Sequence, residues 1–401
     1  MKLLMVDNSP APGGSVHHMA SFANVWHGEG VAMRIIATHP EFFLDRVPIA
    51  VPVTPLDVPH FNDPFGALGS VFEPVLPGPL NWPFSWWDYR RFARRVRRAF
   101  GERIETYAPD AVYINNLNLP NRPFADECVA RGLPFVVGAL MIREFGRREL
   151  QMARDAAAVF CISRGVAKCV GEAAPDLAPE SLVVTDSGVE PGRYDVARNP
   201  AIRAGLGVPD DAAMVLSLGR MIEWKGHDVL VRALGKVRQT VPNLWFVQAG
   251  GEVPEWREKV RAIAEQVGMA DRMVLAGQRE DVPDLLAACD VLAHSSKYGD
   301  AKTGVVEAFG RVIAEGLAAG RPVVATRAGG AVEILERAGC GTLAAPGDVD
   351  GMAEAITSYL TDRSLATRDS EIGREAALAY EEHVIGRKAL TALRRATGIA
   401  E

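Results

Sequence analysis

Two cations and two carboxylates in the second half of the chain have the types and spacing to grip a nucleoside diphosphate. Arg220 and Lys225 stand in GRMIEWKG (219–226), where Gly219 and Arg220 end an apolar strand and a helix holding Leu230 follows. Five positions apart in one strand-to-helix loop, both can converge on a polyanion. Each unit charge at about 4 Å contributes ~4 kcal/mol at an effective dielectric of ~20, before desolvation. The same residues also fit a pairing of Arg220 with Glu223 that leaves Lys225 solvated. In EAFGRVIAE (307–315), seven residues separate Glu307 from Glu315, and Gly310 marks a helix start. A mostly helical span puts the two carboxylates ~12 Å apart at ~1.5 Å rise per residue, close to the distance from a sugar ring to a ribose across a diphosphate. Free amides near Phe309, Gly310, Arg311 and Val312 then point at phosphates, aided by the helix dipole. Glu315 is placed to hold ribose hydroxyls and Glu307 those of a sugar. The competing reading makes Glu307 a helix-terminus stabiliser and Glu315 a surface residue.

A third feature is Gly13-Gly14 in the first loop, NSPAPGGS (8–15). Paired glycines let backbone approach a ligand, and the helix that follows favours an anion at its start. The spacing is not GxGxxG, and no acid ends the second strand, which disfavours a nicotinamide dehydrogenase.

These residues need strands that end in loops. Apolar runs at 3–6, 31–37, 111–114 and 135–137, then at 215–218, 244–248, 273–276, 290–293 and 322–325, read as short buried strands. Between them Leu230, Ala233, Leu234 and Val237, and Trp256, Val260, Ile263 and Val267, mark amphipathic helices, as does the stretch 16–26. The pattern predicts an α/β protein with two parallel, doubly wound domains facing across a cleft, and ligands at the carboxyl ends of the strands. The Gly- and Pro-rich segment 186–211 is the linker, giving domains at 1–195 and 205–375. Nine prolines between Pro48 and Pro83 predict a long ordered loop.

The 401 residues are 48% hydrophobic and 23% charged, with a net charge of −6. That excludes disorder and a disulfide mini-scaffold, and the acidity argues against nucleic acid as a partner. Cys128, Cys161, Cys169, Cys289 and Cys340 are scattered without a CxxC pair, which fits a reducing cytoplasm. The start is too briefly apolar for a signal peptide, and no run reaches the ~18 to 20 residues of a membrane span. There is no DxD-type metal motif, and His17-His18 lack companion ligands at zinc spacing, so neither a metal nor another cofactor is expected. Trp82, Phe84, Trp86, Trp87 and Tyr89 precede Arg90, Arg91, Arg94, Arg95, Arg97 and Arg98. Residues 82–98 therefore read either as a peripheral contact with an anionic membrane or as a surface helix packed on the sheet with snorkelling arginines.

GRMIEWKG (219–226), the stretches 271–296 and 305–335, and the first loop PAPGGS together resemble the GT-B family of retaining nucleotide-sugar glycosyltransferases. That family includes bacterial cell-envelope mannosyl- and glucosyltransferases. The resemblance covers nearly all of the second domain closely and the first loosely. It implies that Arg220, Lys225 and Glu307 carry catalysis and that the donor is a UDP- or GDP-sugar. The donor would be bound by Gly14, Gly219, Arg220, Lys225, Arg279, Glu307, Phe309, Gly310, Arg311, Val312 and Glu315, with the base near Arg279. The acceptor, a hydroxyl of a glycan, glycolipid or small molecule, would sit by Gly13, Gly14, Ser15, His17, Asn115 and Asn116. It also implies that residues 376–401 form a helix crossing back to the first domain. Asn115 stands where family members often carry His and cannot serve as a general base; the acceptor proton would then pass to the departing phosphate. Ala308 replaces a frequent Gly or Pro, and KYGDAKTG (297–304) is longer than the usual connection. A GT-B epimerase or phosphorylase, and a catalytically silent sugar-nucleotide-binding scaffold, are the alternatives. The expected location is cytoplasmic, with the membrane's inner face as the site of any peripheral contact.

Overall fold

The computed structural model describes residues 1–9, 13–44, 46, 50–58, 78–298 and 305–399, with the backbone alone at 78–88. Two parallel sheets organise them. The first takes strands β1 (Lys2–Asp7), β2 (Ala32–Ala37), β3 (Val53–Pro55), β4 (Ala111–Ile114), β5 (Phe135–Ala139), β6 (Ala158–Cys161) and β7 (Leu182–Val184). Their spatial order is β3-β2-β1-β4-β5-β6-β7. The second takes β8 (Ala213–Leu218), β9 (Leu244–Ala249), β10 (Met273–Leu275), β11 (Val291–His294), β12 (Val323–Thr326) and β13 (Thr342–Ala344), in the order β10-β9-β8-β11-β12-β13.

Helices cover both faces of each sheet, which is why the strands read as continuous apolar runs rather than alternating ones. Leu3, Leu4, Met5 and Val6 are all fully buried, as are Val215 and Leu216. Each sheet reverses its strand order once, between β1 and β4 and between β8 and β11. Such a reversal parts the loops at the carboxyl ends and opens a crevice there. The first reversal presents Asp7 and Asn115, the second Gly219 and His294. The last helix, Glu382–Thr397, lies on Gly14–Gly28 of the first sheet, where Trp26 Nε1 donates to the Gly386 carbonyl at 2.8 Å.

The proline-rich segment departs from the expected long loop. Its described parts hold β3 and the beginning of a thirty-residue helix, Gly78–Tyr107; residues 59–77 lie outside the described residues. Pro79 stands in that helix's first turn, where a missing N–H is tolerated. Further along, Phe92, Val96 and Phe100 are buried while Arg90, Arg91, Arg94, Arg95, Arg97 and Arg98 are exposed. This is the arrangement of a surface helix packed on the sheet. The side chains of Trp82, Phe84, Trp86 and Trp87 lie outside the described residues, as does most of the 297–304 connection. No helix among the described residues is long and apolar enough to cross a membrane.

Candidate functional site

At the second crevice, β8 runs into Gly219 and Arg220, and a single 3-10 turn, Glu223–Lys225, leads into helix His227–Thr240. That turn aims Lys225 across the crevice, where its ammonium pairs with Glu307 Oε2. His294, closing the neighbouring β11, sets Nε2 3.1 Å from the same oxygen, and Ser296 Oγ lies 3.4 Å from that nitrogen. Burial opposes the charge on Glu307, but the Lys225 ammonium and the His294 hydrogen bond outweigh it and hold the carboxyl well below the usual carboxylate range. Glu307 is thus a fixed anion whose partner cation stands beside Gly219. The reading with Lys225 solvated and Arg220 paired to Glu223 is corrected. Lys225 belongs to Glu307, Glu223 accepts instead from Tyr298 Oη at 3.2 Å, and Arg220 is exposed with no ion-pair partner among the described residues.

Gly310 takes φ +83°, a left-handed conformation that L side chains rarely adopt, and the helix begins only at Arg311, as Arg311–Ala318. Glu307 therefore precedes the helix instead of riding on it, and neither the mostly helical span nor the helix-stabiliser role applies. Glu315 is not a surface residue. It is 8% exposed, accepts from Arg311 Nε at 2.8 Å and bonds Tyr194, whose phenol is pushed far up by burial and by the Glu315 charge. Val312 and Glu315 line a cavity of about 180 Å³ with Gly219, Gln278 and Arg279, over a floor of Leu218, Ala249 and Val282. Arg279 is held in place by Asp281, 2.8 Å from its Nε.

Across the molecule, the first crevice is built around a residue that the sequence reading missed. Asp7 is fully buried, with Asn115 Nδ2 at 2.6 Å, Ser9 Oγ at 2.8 Å and the Ser9 N–H at 3.0 Å. Burial raises its carboxyl above the usual range, against these hydrogen bonds. Asn115 Nδ2 also reaches the Ser15 carbonyl at 3.2 Å, so both amide hydrogens are spent and Asn115 Oδ1 finds no partner among the described residues. The available signal was an acid closing an otherwise apolar strand. Asn116 is half-buried and accepts from Asn121 Nδ2 at 2.9 Å. Gly13 and Gly14 are exposed, and a Cβ at either would meet nothing within 4 Å. Packing therefore does not require glycine at either position.

The two crevices meet. Ile142 bridges Val306 as an isolated antiparallel pair, seating the first sheet's loop beside Glu307. His17 opens to solvent but is crowded by protein from both sides. That desolvation and the Arg311 charge push its imidazole down to about 4. The structure thus gathers Lys225 with Glu307, Gly219 and Arg279 with Val312 and Glu315, Arg311 with His17, and Asn115 with Ser15, and leaves Arg220 at the rim. Among the described residues no group of three or more His, Cys, Asp or Glu side chains is placed to hold a metal.

Residues 198–376 match the model of a family described as glycosyl transferases group 1. The chain is 32% identical over 298 residues to the GDP-mannose-dependent alpha-(1-6)-phosphatidylinositol monomannoside mannosyltransferase of Mycolicibacterium smegmatis, covering 71% of this chain and 75% of that one. It is 35% identical over 173 residues to the lipopolysaccharide core biosynthesis glycosyltransferase LpsE of Rhizobium meliloti, covering 43% and 47%. The chain spans about half the length of several of the curated relatives it matches. Among solved structures, Anabaena HepE in complex with UDP superposes with a TM-score of 0.77 at 22% identity, covering 98% of this chain and 100% of that one.

Proposed function

Because this chain belongs to the glycosyl transferases of group 1 and has the GT-B fold, we propose that it moves a hexose-type sugar from a UDP- or GDP-sugar to an acceptor hydroxyl with retention of anomeric configuration. UDP occupies the Anabaena structure, and the mycobacterial relative is named for GDP-mannose; these support a UDP- or GDP-linked donor. The acceptor is a glycan, glycolipid or small molecule. The observation that carries the reading is the Lys225–Glu307–His294 cluster, set one loop away from the Glu315 cavity.

In this reading Glu315 holds the ribose, the cavity floor takes the base, and the first-turn amides of Arg311–Ala318 face the diphosphate. Glu307 receives the sugar's hydroxyls. The acceptor oxygen attacks the anomeric carbon on the face that the diphosphate leaves. The carbon–oxygen bond to phosphate breaks as the glycosidic bond forms, and the hydroxyl proton passes to a departing phosphate oxygen. Asn115, expected on the acceptor side, is fully buried with its amide hydrogens on Asp7 and the Ser15 carbonyl, so it braces the loop before the first helix and does not itself meet the acceptor. Lys225, Arg220 and the helix amides supply the positive field that a metal provides elsewhere. Five unpaired cysteines support work in a reducing compartment.

A thermal-shift panel of UDP- and GDP-sugars tests the donor, since ligand at about 100 Kd stabilises by ~2.7 kcal/mol. Product analysis must then show a new glycoside. Arg220→Ala is expected to lower kcat/KM about tenfold, shared between weaker donor binding and slower turnover, the loss of one charge-assisted contact to the leaving group. Unchanged kcat/KM in both Arg220→Ala and Lys225→Ala would remove the site.

Peripheral contact with an anionic membrane is a second proposal, supported by the six exposed arginines between Arg90 and Arg98. Each basic residue near an anionic surface is worth about 1 kcal/mol, an attraction that salt screens. Liposome flotation should therefore require anionic lipid and weaken with salt; no flotation at any ionic strength would end the idea.

A further inference from the structure

One contact between the two halves plays no part in the chemistry above. Glu333, in the first turn of helix Gly330–Ala338, accepts the Arg164 N–H at 2.8 Å on Oε2 and the Gly165 N–H at 2.6 Å on Oε1. Those amides open helix Arg164–Ala173 of the first sheet. A helix cannot satisfy its own first N–H groups. Here Ser163 Oγ takes only that of Val166, at 3.2 Å, and a carboxylate from the other half takes the two before it. The negative charge also meets the positive end of the helix dipole. The seat is fitted: a Cβ on Gly165 would stand 3.1 Å from Ile142 Cδ1 and 3.2 Å from Glu333 Oε1.

The other end of the same turn rests on the donor loop. The Gly330 N–H donates to the Glu307 carbonyl at 3.0 Å. A Cβ on Gly329 would lie 1.9 Å from that carbonyl oxygen, and one on Gly330 2.2 Å from the Phe309 carbonyl oxygen, so backbone presses on backbone. Displacing this turn therefore displaces 307–309. Beside the contact lies a cavity of about 610 Å³ lined by Arg164, Asp186, Phe309, Glu333, Arg337 and Tyr380. Glu333 thus joins the two halves at the edge of this cavity.

The geometry points to Glu333 as a positioning residue that couples closure of the two domains to the seating of Glu307. The role assigned to Glu307 rests on the glycosyltransferase reading; the closure contact does not. When the domains close, the carboxylate caps Arg164–Ala173 and the turn locks the donor loop; when they part, those two amides and the carboxylate return to water. Closure of this kind raises turnover without strengthening the donor's own contacts.

The test uses the full chain with Glu333→Ala, and with Gly165→Ala to disturb the seat from the other side. Three quantities are read: UDP and GDP affinity, kcat on the donor that turns over, and the radius of gyration by solution scattering with and without nucleotide. Glu333→Ala should lower kcat about tenfold or more, keep nucleotide affinity within about twofold, and enlarge the nucleotide-bound particle. Gly165→Ala should shift all three the same way by less. Unchanged kcat and unchanged size in folded Glu333→Ala overturn the proposal. So does nucleotide affinity falling in step with kcat at constant size, which would make Glu333 a support of the donor loop alone. If the wild type turns over no sugar nucleotide, the functional reading fails, and the scattering comparison still decides the closure contact.

Discussion

Lys225→Ala should lower kcat/KM by about 10² to 10³, with most of the loss in kcat, the scale seen when one preorganised electrostatic contact to a developing charge is removed. Two effects add. The ammonium that would meet the leaving diphosphate is gone, and Glu307 loses the cation that holds it ionised in a half-closed site. Its carboxyl is then left with His294, 3.1 Å away, as its remaining partner. An uncompensated carboxyl beside a departing phosphate works against the reaction in either form, by repulsion while it is ionised and, once protonated, by losing the charge that receives the sugar's hydroxyls. The stability consequence separates these roles. Removing one member of a paired, mostly buried set costs more than removing both. Lys225→Ala should therefore melt below Lys225→Ala/Glu307→Gln, while turnover in the double variant stays lost. If kcat/KM survives Lys225→Ala within about threefold, the leaving group is not held here and the electrostatic mechanism is wrong.

Why the second half of the chain was legible and the first less so has a physical basis. Parallel strands covered on both faces announce themselves as apolar runs, and the chemistry of such a sheet sits where each run ends. Gly219, Arg220 and Lys225 follow β8, so motif and strand end coincide in sequence. The pairing of Lys225 with Glu307 was hidden because it joins positions 82 apart, brought together only when β8 and β11 lie side by side. Glu307 and Glu315 share one segment, yet the expected helical spacing between them failed at Gly310, whose positive φ ends any helical continuity upstream. In the first half, proline density misled: Pro79 sits in a first turn, and Pro83 removes a single N–H from a thirty-residue helix. Asp7 escaped notice because a carboxylate at a strand end looks solvated; only the tertiary approach of Asn115 and Ser9 makes it a buried hub.

The protein should lose stability steeply as pH falls from about 6.5 toward 4, by about 1.4 kcal/mol per pH unit for each histidine that stays neutral in the fold. His18 and His227 are that kind of group. Both are buried, and burial, with Arg311 acting on His18 and Lys225 on His227, pushes their imidazoles down to about 3. The sign follows from the direction. Below 6.5 the unfolded chain takes up protons that the native state refuses, so the stabilisation is complete above the ordinary histidine value and drains as pH falls toward the folded one. Two such groups give a slope of about 2.7 kcal/mol per unit, or ~5 kcal/mol over two units, against a typical total of ~5 to 15. Asp7 and Asp186, both raised by burial, pull the other way and take something off that slope. His17 adds less because its ring is exposed. Denaturant titrations from pH 7 to 4.5 should show this fall, and His18→Leu should remove about half of it. That variant should also lose little at pH 7, because neither nitrogen of the His18 ring has a hydrogen-bond partner among the described residues and the ring packs on Phe22 at 4.4 Å. A His18→Leu curve parallel to wild type would mean that the acid lability lies elsewhere, in the paired carboxylates that titrate below pH ~4.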